Sequence, residues 1–582
     1  MSGRTGIRSI RIWYILSLAI FIGMIAATYF LGTNVDRNFI HLGIVAIPFL
    51  ILAFYWHGRL KDAGLRRRLN ETWGSVDLRV RDMNEIDGHF RLTRDDLKRD
   101  DALDDRTWSD LDMDAVFSQI DRTLTAPGEQ ILYRLLRRPS FDDRDIEERR
   151  SWITSFSRDK DFRDNSRFFL AKLGRNEGEG LAEFLWGEPP RTISVPFPLF
   201  VLPLSLVSFF VLILAGQGWA WFGFVAAFVG SMFAHFRAKR MIGEYGPSFR
   251  YLGRMIVWAR KLAGLAVPEI IGAVESLSDD LRSVAGMPRK TAWIALGGND
   301  PFFEYINVLF LTELRAYHGA VKLLQAHRHA LQRIFEWTGF FDAMASIASY
   351  RTDICDYCEP RFAESGPWLE LENAVHPLIK NPVPNSLALK ENGLLITGSN
   401  MSGKTTFLKT IGVNAVLAQT ICTCRAETYR ARFFRIATLI GRNDNLVEGK
   451  SYYLDEILAL KRLLNHENEA VARLYLLDEL FRGTNSVERI AAAVEVLAYL
   501  AKGNGCTVAS THDLEVTKLV GFDYSNFHFE ETIGDDGLAF NYKLMPGSSA
   551  TRNAVQLLRF VGYPPEIVEA AERRVFFLQP KE

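Results

Sequence analysis

The sequence predicts an α/β domain in its last third, preceded by a mainly α-helical body and carried on four apolar helices in two hairpins. Three observations predict this. Charge almost vanishes from two stretches near the amino terminus and from one long stretch in the middle. A glycine-rich loop lies between a short apolar run and a helical pattern at residues 394–419. Two later apolar runs each end in side chains suited to chemistry.

The apolar stretches come first. Residues 13–31 are 19 residues without a charge, and residues 39–56 are 18 in which only His41 can carry one. Residues 192–236 are 45 residues without Asp, Glu, Lys or Arg, broken near the middle by Gly216, Gln217 and Gly218. Each half approaches the ~20 residues that cross a ~30 Å hydrocarbon core. Arg4, Arg8 and Arg11 precede the first pair, and Arg59, Lys61, Arg66, Arg67 and Arg68 follow it. Arg191 and Arg237, Lys239 and Arg240 flank the second. Cytoplasmic loops carry the positive charge, so both hairpins are expected to begin and end on the cytoplasmic side of an inner or cell membrane. The stretches carry almost no ionisable group, so they read as anchors and not as an ion path.

The boundaries that follow are 1–60 and 191–240 for the hairpins, 61–190 and 241–370 for helical segments, and 371–582 for the α/β domain. The 69 basic and 69 acidic residues cancel. Composition therefore gives no support for nucleic-acid binding, although a local basic patch would suffice. Lys322, His327, Arg328, His329 and Arg333 make one mildly basic face, read as solvated surface, as is the acidic stretch from Asp95 to Asp105. Cys355 and Cys358 form a CxxC, and Cys422 and Cys424 a CxC. A four-thiolate metal site is one reading, and two incidental pairs in a reducing compartment the other.

In the α/β domain, Leu394, Leu395, Ile396 and Thr397 read as a strand. Gly398, Ser399, Asn400, Met401, Ser402, Gly403, Lys404 and Thr405 then fit GxxxxGK[ST], and Thr406 begins a helix. Strand, loop and helix are the context the motif requires. The glycines let the backbone close around phosphate, whose oxygens the loop N–H groups and the helix N-terminus attract. Lys404 would reach the β and γ phosphates of ATP, and the Thr405 hydroxyl would ligate Mg²⁺. A second strand, residues 474–477, ends in Asp478 and Glu479. Asp478 suits Mg²⁺ and Glu479 suits a base for the attacking water. A third, residues 506–511, ends in His512, placed to contact the γ phosphate. This order is that of an ABC-like P-loop ATPase, with ligands at the carboxyl ends of parallel strands.

Several motifs in this order resemble those of the MutS DNA mismatch repair family. They are residues 396–405 with the Asn400-Met401 pair, 478–484, 510–512, 374–377 and the segment 441–456 around Ser451. Weaker likeness covers residues 116–156, 308–350 and 557–574. The resemblance implies a homodimer with composite ATP sites, in which Ser451 reaches the partner's nucleotide and Asn485 and Ser486 lie near the interface. It also implies that Tyr542 stacks on adenine, and that the protein acts on DNA in mismatch repair or recombination. The sequence departs from the family in one respect. Only about 110 residues precede the core-like segment, and half of them are apolar hairpin. Phe302-Phe303-Glu304 fits the bare Phe-x-Glu of the family's mismatch-reading module out of place, and reads as packing. The alternative is a membrane-associated ATP switch that acts on a protein or envelope partner without binding DNA.

Overall fold

The computed structural model of the chain describes residues 2–94, 102–176, 178, 180–190, 197–265, 271–296, 301–363, 368–390, 392–399, 402–440, 452–464, 471–482, 484–534, 537–548, 558–559 and 561–578. Helices Ser2–Asn34 and Ile47–Glu71 are joined by a 3-10 helix, Arg37–Ala46. They run antiparallel, with Trp13 stacked on Trp56 at 6.3 Å and Tyr14 5.3 Å from His57. Two spans, Ile7–Asn34 and Gly43–Glu71, are long and apolar enough to cross a membrane, and only 11% of each apolar window is buried. These are therefore not core helices of the protein.

The second pair corrects the expectation of four such helices. Among the described residues two helices meet the requirement, not four. The 45-residue uncharged run is divided by a turn at residues 215–219. Helix Phe197–Leu214 receives 18 residues, interrupted by Pro203, and its described apolar part is Phe200–Leu214. The second half does not end with the run. It continues as one helix, Ala220–Ala263, into a charged, buried continuation. Tyr251, Leu252, Met255 and Ile256 there belong to the core of the helical body.

The segment 121–128 is explained by a buried carboxylate. Thr125 caps helix Ala126–Arg137 by accepting from Gly128 N at 3.0 Å, and Pro127 occupies the first turn. Such a cap satisfies a donor that the helix start leaves free. Asp342, on helix Arg328–Ile354, accepts from Leu124 N, Thr125 N and Thr125 Oγ1 at 2.9, 2.8 and 2.7 Å. A Cβ on Gly128 would lie 2.2 Å from its carboxylate, so only glycine fits. Burial pushes the Asp342 carboxyl up to about 7, against the opposing effect of these hydrogen bonds. An unfolded Asp releases its proton near ~4. The protonated folded state is therefore favoured below that value, and this contribution is lost as pH rises to about 7. The expected result is that Asp342→Asn shows a smaller drop in melting temperature than the parent across this interval. An equal drop in both would show that Asp342 is not the group responsible.

Among the described residues ten strands follow: β1 Arg361–Phe362, β2 Leu369–Ala374, β3 Asn385–Leu389, β4 Gly393–Thr397, β5 Thr428–Ala431, β6 Phe434–Leu439, β7 Ala472–Asp478, β8 Gly505–Ser510, β9 Tyr524–Gly534 and β10 Gly537–Pro546. The main sheet has the order β10-β9-β4-β8-β7-β6. It is parallel from β9 to β6, with β10 antiparallel at one edge. Its buried strands alternate between two cores, as a period of two requires. Leu394, Ile396, Leu474 and Leu476 face one core, and Leu395, Tyr475 and Leu477 the other. The first core also contains Leu111, Phe117 and Phe156 from the helical body and Phe407, Leu408 and Ile411 from helix Lys404–Ile421. A Cβ on Gly412 would lie 2.6 Å from Leu111 and 2.7 Å from Leu476, which shows how closely the layers approach. A smaller sheet, β1-β5-β2-β3, lies outside the main one.

Candidate nucleotide-binding site

All of β4 is buried, and the chain leaves it through Gly398 at φ +146°. A Cβ there would meet Ser402 Oγ at 2.9 Å and Phe529 O at 3.0 Å. Gly403, at φ +107°, caps the 18-residue helix Lys404–Ile421. Both conformations are open to glycine and strained for other residues. The loop therefore wraps tightly over a helix N-terminus, where N–H groups and dipole attract anions. Lys404 is buried, and its Nζ donates to Gly398 O and Ser399 O, each at 2.8 Å. The ammonium is held inside the loop it would share with a phosphate.

The register of the parallel strands sets the acidic end. Asp478 pairs with Ser510 across β7 and β8, and Ile396 with Ser510 across β4 and β8. Thr405 Oγ1 donates to Asp478 Oδ2 at 2.8 Å, and Ser510 Oγ donates to Oδ1. A hydroxyl and a carboxylate thus stand side by side at the mouth of the loop. Their oxygens match the donor set of Mg²⁺.

Glu479 follows at φ +50°, a left-handed conformation that costs a non-glycine residue about 1–2 kcal/mol. Glu479 N donates to Ser510 O at 3.1 Å. The twist turns its carboxylate back to His512 and Arg482, with Lys404 Nζ at 3.8 Å. Burial pushes this carboxyl up, but the His512 hydrogen bond and the charges of His512, Arg482 and Lys404 outweigh it. The group is held below the ordinary carboxylate range. Asp513, next to His512, takes a bidentate pair from Arg489, both contacts at 2.8 Å, which fixes that loop. Phe481, at φ +60°, donates its N–H to Glu456 Oε1 at 2.5 Å.

Tyr542 comes from an irregularity in the β9–β10 ladder between Phe540 and Leu544. It sits at φ +51°, half exposed, and a Cβ on Gly403 would touch its ring at 3.3 Å. Asn385 pins the bulge, donating to Tyr542 O at 2.9 Å and accepting from Leu544 N at 2.8 Å. A cavity of about 410 Å³ results, lined by Ser399, Gly403, Lys404, Thr405, Thr406, Glu479 and Tyr542 among others. Seven residues named from the sequence therefore line one space. Gly398 and Ser402 build the loop behind it, and Asp478 and His512 are bonded to residues that line it. Asn400, Met401 and Ser451 lie outside the described residues.

Three groups at this site have no role in the reading of the sequence. Arg482 and Ser510 hold the two carboxylates. His376 lines the cavity, and burial drives it down to about 4, so it is neutral. Its Nδ1 accepts from Leu378 N at 3.3 Å, which leaves the proton on Nε2. Nε2 is buried and has no acceptor among the described residues. Its place in the quoted 374–377 motif was the available signal.

Elsewhere the surface features resolve into structure. Arg328 donates to Leu185 O at 2.6 Å and also to Gly187 O, and Arg333 makes a bidentate pair with Asp280. Asp104 caps helix Asp105–Asp110, while residues 95–101 lie outside the described residues. Asn485 caps helix Ser486–Leu500. Glu304 is held by Lys239 and, at 3.3 Å, by His235. The four cysteines do not converge as four thiolates. Cys358 and Cys424 are antiparallel bridge partners, but Cys355 is exposed and Cys422 donates to Ile146 O at 3.4 Å.

Residues 394–579 match the family model of MutS domain V. The chain is 32% identical over 272 residues to the DNA mismatch repair protein MutS of Petrotoga mobilis, covering 44% of this chain and 32% of that protein. It is 32% identical over 256 residues to that of Thermus thermophilus, covering 43% and 30%. With the DNA mismatch repair protein MutS 2 of Halobacterium salinarum the figures are 31% over 262 residues, 43% and 29%. The chain thus spans about a third of the length of the curated relatives it matches. The segment that builds this loop, these strand ends and this cavity is the one that matches MutS domain V, and it carries the chain's similarity to MutS proteins.

Proposed function

We propose that this protein is a MutS-type ATPase anchored to a membrane by its amino-terminal hairpin, and that ATP binding and hydrolysis close and reopen a homodimer. The observation that carries the reading is the convergence of Lys404, Thr405, Glu479 and Tyr542 on one cavity at the carboxyl ends of parallel strands. The Gly398–Gly403 loop would cradle the phosphates of ATP, and Lys404 would exchange its two loop carbonyls for β and γ oxygens. Thr405 and Asp478 would hold Mg²⁺, which when bound neutralises phosphate charge. Glu479, kept ionised by its neighbours, would take a proton from the attacking water, and His512 would hold that carboxylate in place. Tyr542 would stack on adenine, and His376 Nε2–H, without an acceptor among the described residues, lines the same cavity. Ser451 would complete the partner's site.

The test is Mg²⁺-dependent phosphate release by the purified full-length protein. Absence of ATP-dependent turnover in the dimer would remove the reading. For Tyr542, replacement by Ala is expected to raise the KM for ATP about tenfold, because base stacking contributes about 1–3 kcal/mol. Tyr542→Phe should restore it, and kcat should stay unchanged in both. A fall in kcat with constant KM would show that Tyr542 does not hold the base.

The output reading is action on DNA, after the relatives' printed names. A second reading, an ATP switch working on a membrane or envelope protein, is favoured by one observation. Arg328 and Arg333 of the basic face are already engaged within the helical body. Fluorescence anisotropy with matched, mismatched and branched DNA at two salt concentrations separates the two. Phosphate contacts release counterions and make binding salt-dependent. ATP-responsive, salt-sensitive binding supports DNA, and its absence supports the switch.

A further inference from the structure

A second cavity, of about 470 Å³, lies in the helical body between helices Ala126–Arg137, Asp143–Arg158, Ile271–Ser283 and Arg328–Ile354. It exceeds the 410 Å³ of the nucleotide cavity and shares no lining residue with it. Three of its four acids are engaged, and the fourth, Glu148, is exposed to solvent. Glu336 accepts from Arg134 at 2.6 Å, Asp280 takes the bidentate pair from Arg333, and Asp145 accepts from Ser140 Oγ at 2.9 Å. Its donors are not. Arg149 gives Nη1 to two backbone carbonyls, and no carboxylate among the described residues pairs with it or with Arg138. Trp337 Nε1 is buried without an acceptor. A desolvated guanidinium whose hydrogen bonds go only to backbone carbonyls, with Asp145 and Glu148 acting on it through charge alone, and an indole N–H without an acceptor are both donors that an anionic acceptor would satisfy. Trp152, Trp337 and Phe340 add an aromatic wall. Pockets of this size, mostly apolar with a few convergent polar groups, are those that hold small molecules.

We propose that this cavity binds a small aromatic anion of the nucleoside monophosphate class, its ring against Trp337 and Phe340 and its anionic group at Arg138 and Arg149. Arginine suits a planar or tetrahedral oxyanion, and tryptophan suits a base. The site is connected to the first one. Arg149 donates to Gln419 O and Thr420 O at 3.2 and 2.9 Å, at the last turn of the helix that begins with Lys404. A ligand on Arg149 would therefore act on the far end of the P-loop helix.

The test is isothermal titration of AMP, and separately of inorganic phosphate, into the full-length protein carrying Lys404→Ala and Tyr542→Ala, which removes the phosphate and base contacts assigned to the first cavity. Saturable AMP binding is expected, with inorganic phosphate at least about tenfold weaker for want of stacking. Adding Arg138→Gln should weaken AMP about tenfold, the worth of one hydrogen bond to a charged group, and adding Trp337→Ala about tenfold through lost stacking. Arg138 is exposed, so its replacement leaves the fold intact, and an unchanged melting temperature checks this. No saturable heat at millimolar AMP, or equal affinity in parent and both variants, overturns the proposal. Equal binding of phosphate and AMP rejects its aromatic half. These outcomes do not depend on turnover, so they stand apart from the ATPase reading.

Discussion

Glu479→Gln is expected to lower kcat for ATP by about 10²–10⁴-fold, the range for loss of a positioned base. Gln keeps the length and one oxygen, so the left-handed turn after β7 and the shape of the cavity survive. What it lacks is the negative charge that His512, Arg482 and Lys404 surround. ATP affinity should change little, because the phosphate contacts lie on the Gly398–Gly403 loop and Lys404. Steady-state phosphate release together with equilibrium binding of a fluorescent ATP analogue measures both. Turnover within about threefold of the parent would reject Glu479 as the base, since even a modest base contributes far more. The pH profile is a further part of this result. Only the ionised carboxylate accepts a proton, and this one is held below the usual range. The parent should therefore keep its rate as pH falls to ordinary carboxylate values.

Lys404→Ala is expected to weaken ATP binding by about 10²–10³-fold. Removing one partner of a buried charge contact costs about 3–5 kcal/mol, and screening by water at the open loop trims the lower end. The lysine is buried and its Nζ is already among oxygens, so the site is organised around a cation before nucleotide arrives. Without it, two loop carbonyls and Glu479 face the phosphates unopposed. Binding of the same fluorescent analogue, with and without Mg²⁺, reads the loss. Parent-like affinity would mean that the loop amides alone supply the binding energy, and Lys404 would lose its assigned role.

Much of the nucleotide site was legible because its chemistry is local. Gly398 to Thr405 are contiguous, and Asp478, Glu479 and His512 each end an apolar run that reads as a strand. What sequence did not reveal is set by contacts between distant segments. The small sheet joins β1 and β2 to β5 across the P-loop helix, and its strands are too short and polar to show a pattern. Arg482 and Ser510 acquire their roles only when the register brings the strand ends together. The second apolar pair misled for a different reason. Absence of charge over 45 residues measures composition, whereas spanning depends on how a turn and Pro203 divide that length. In the helix that begins apolar and goes on for 44 residues into the body's core, the charges at Arg237, Lys239 and Arg240 mark the change of surroundings but not that the helix continues through them.

The interleaving of Leu111, Phe117 and Phe156 with Phe407 and Ile411 has a consequence for how the chain is made. Phe156 leaves the ribosome about 250 residues before Phe407 (407 minus 156). At about 5–20 residues per second, the amino-terminal half of that core waits roughly 12–50 seconds for its other half. During that interval a large greasy surface has no native cover, and it follows two long, exposed apolar helices. Protection of the early helices until the α/β domain has emerged is the order of events this topology demands.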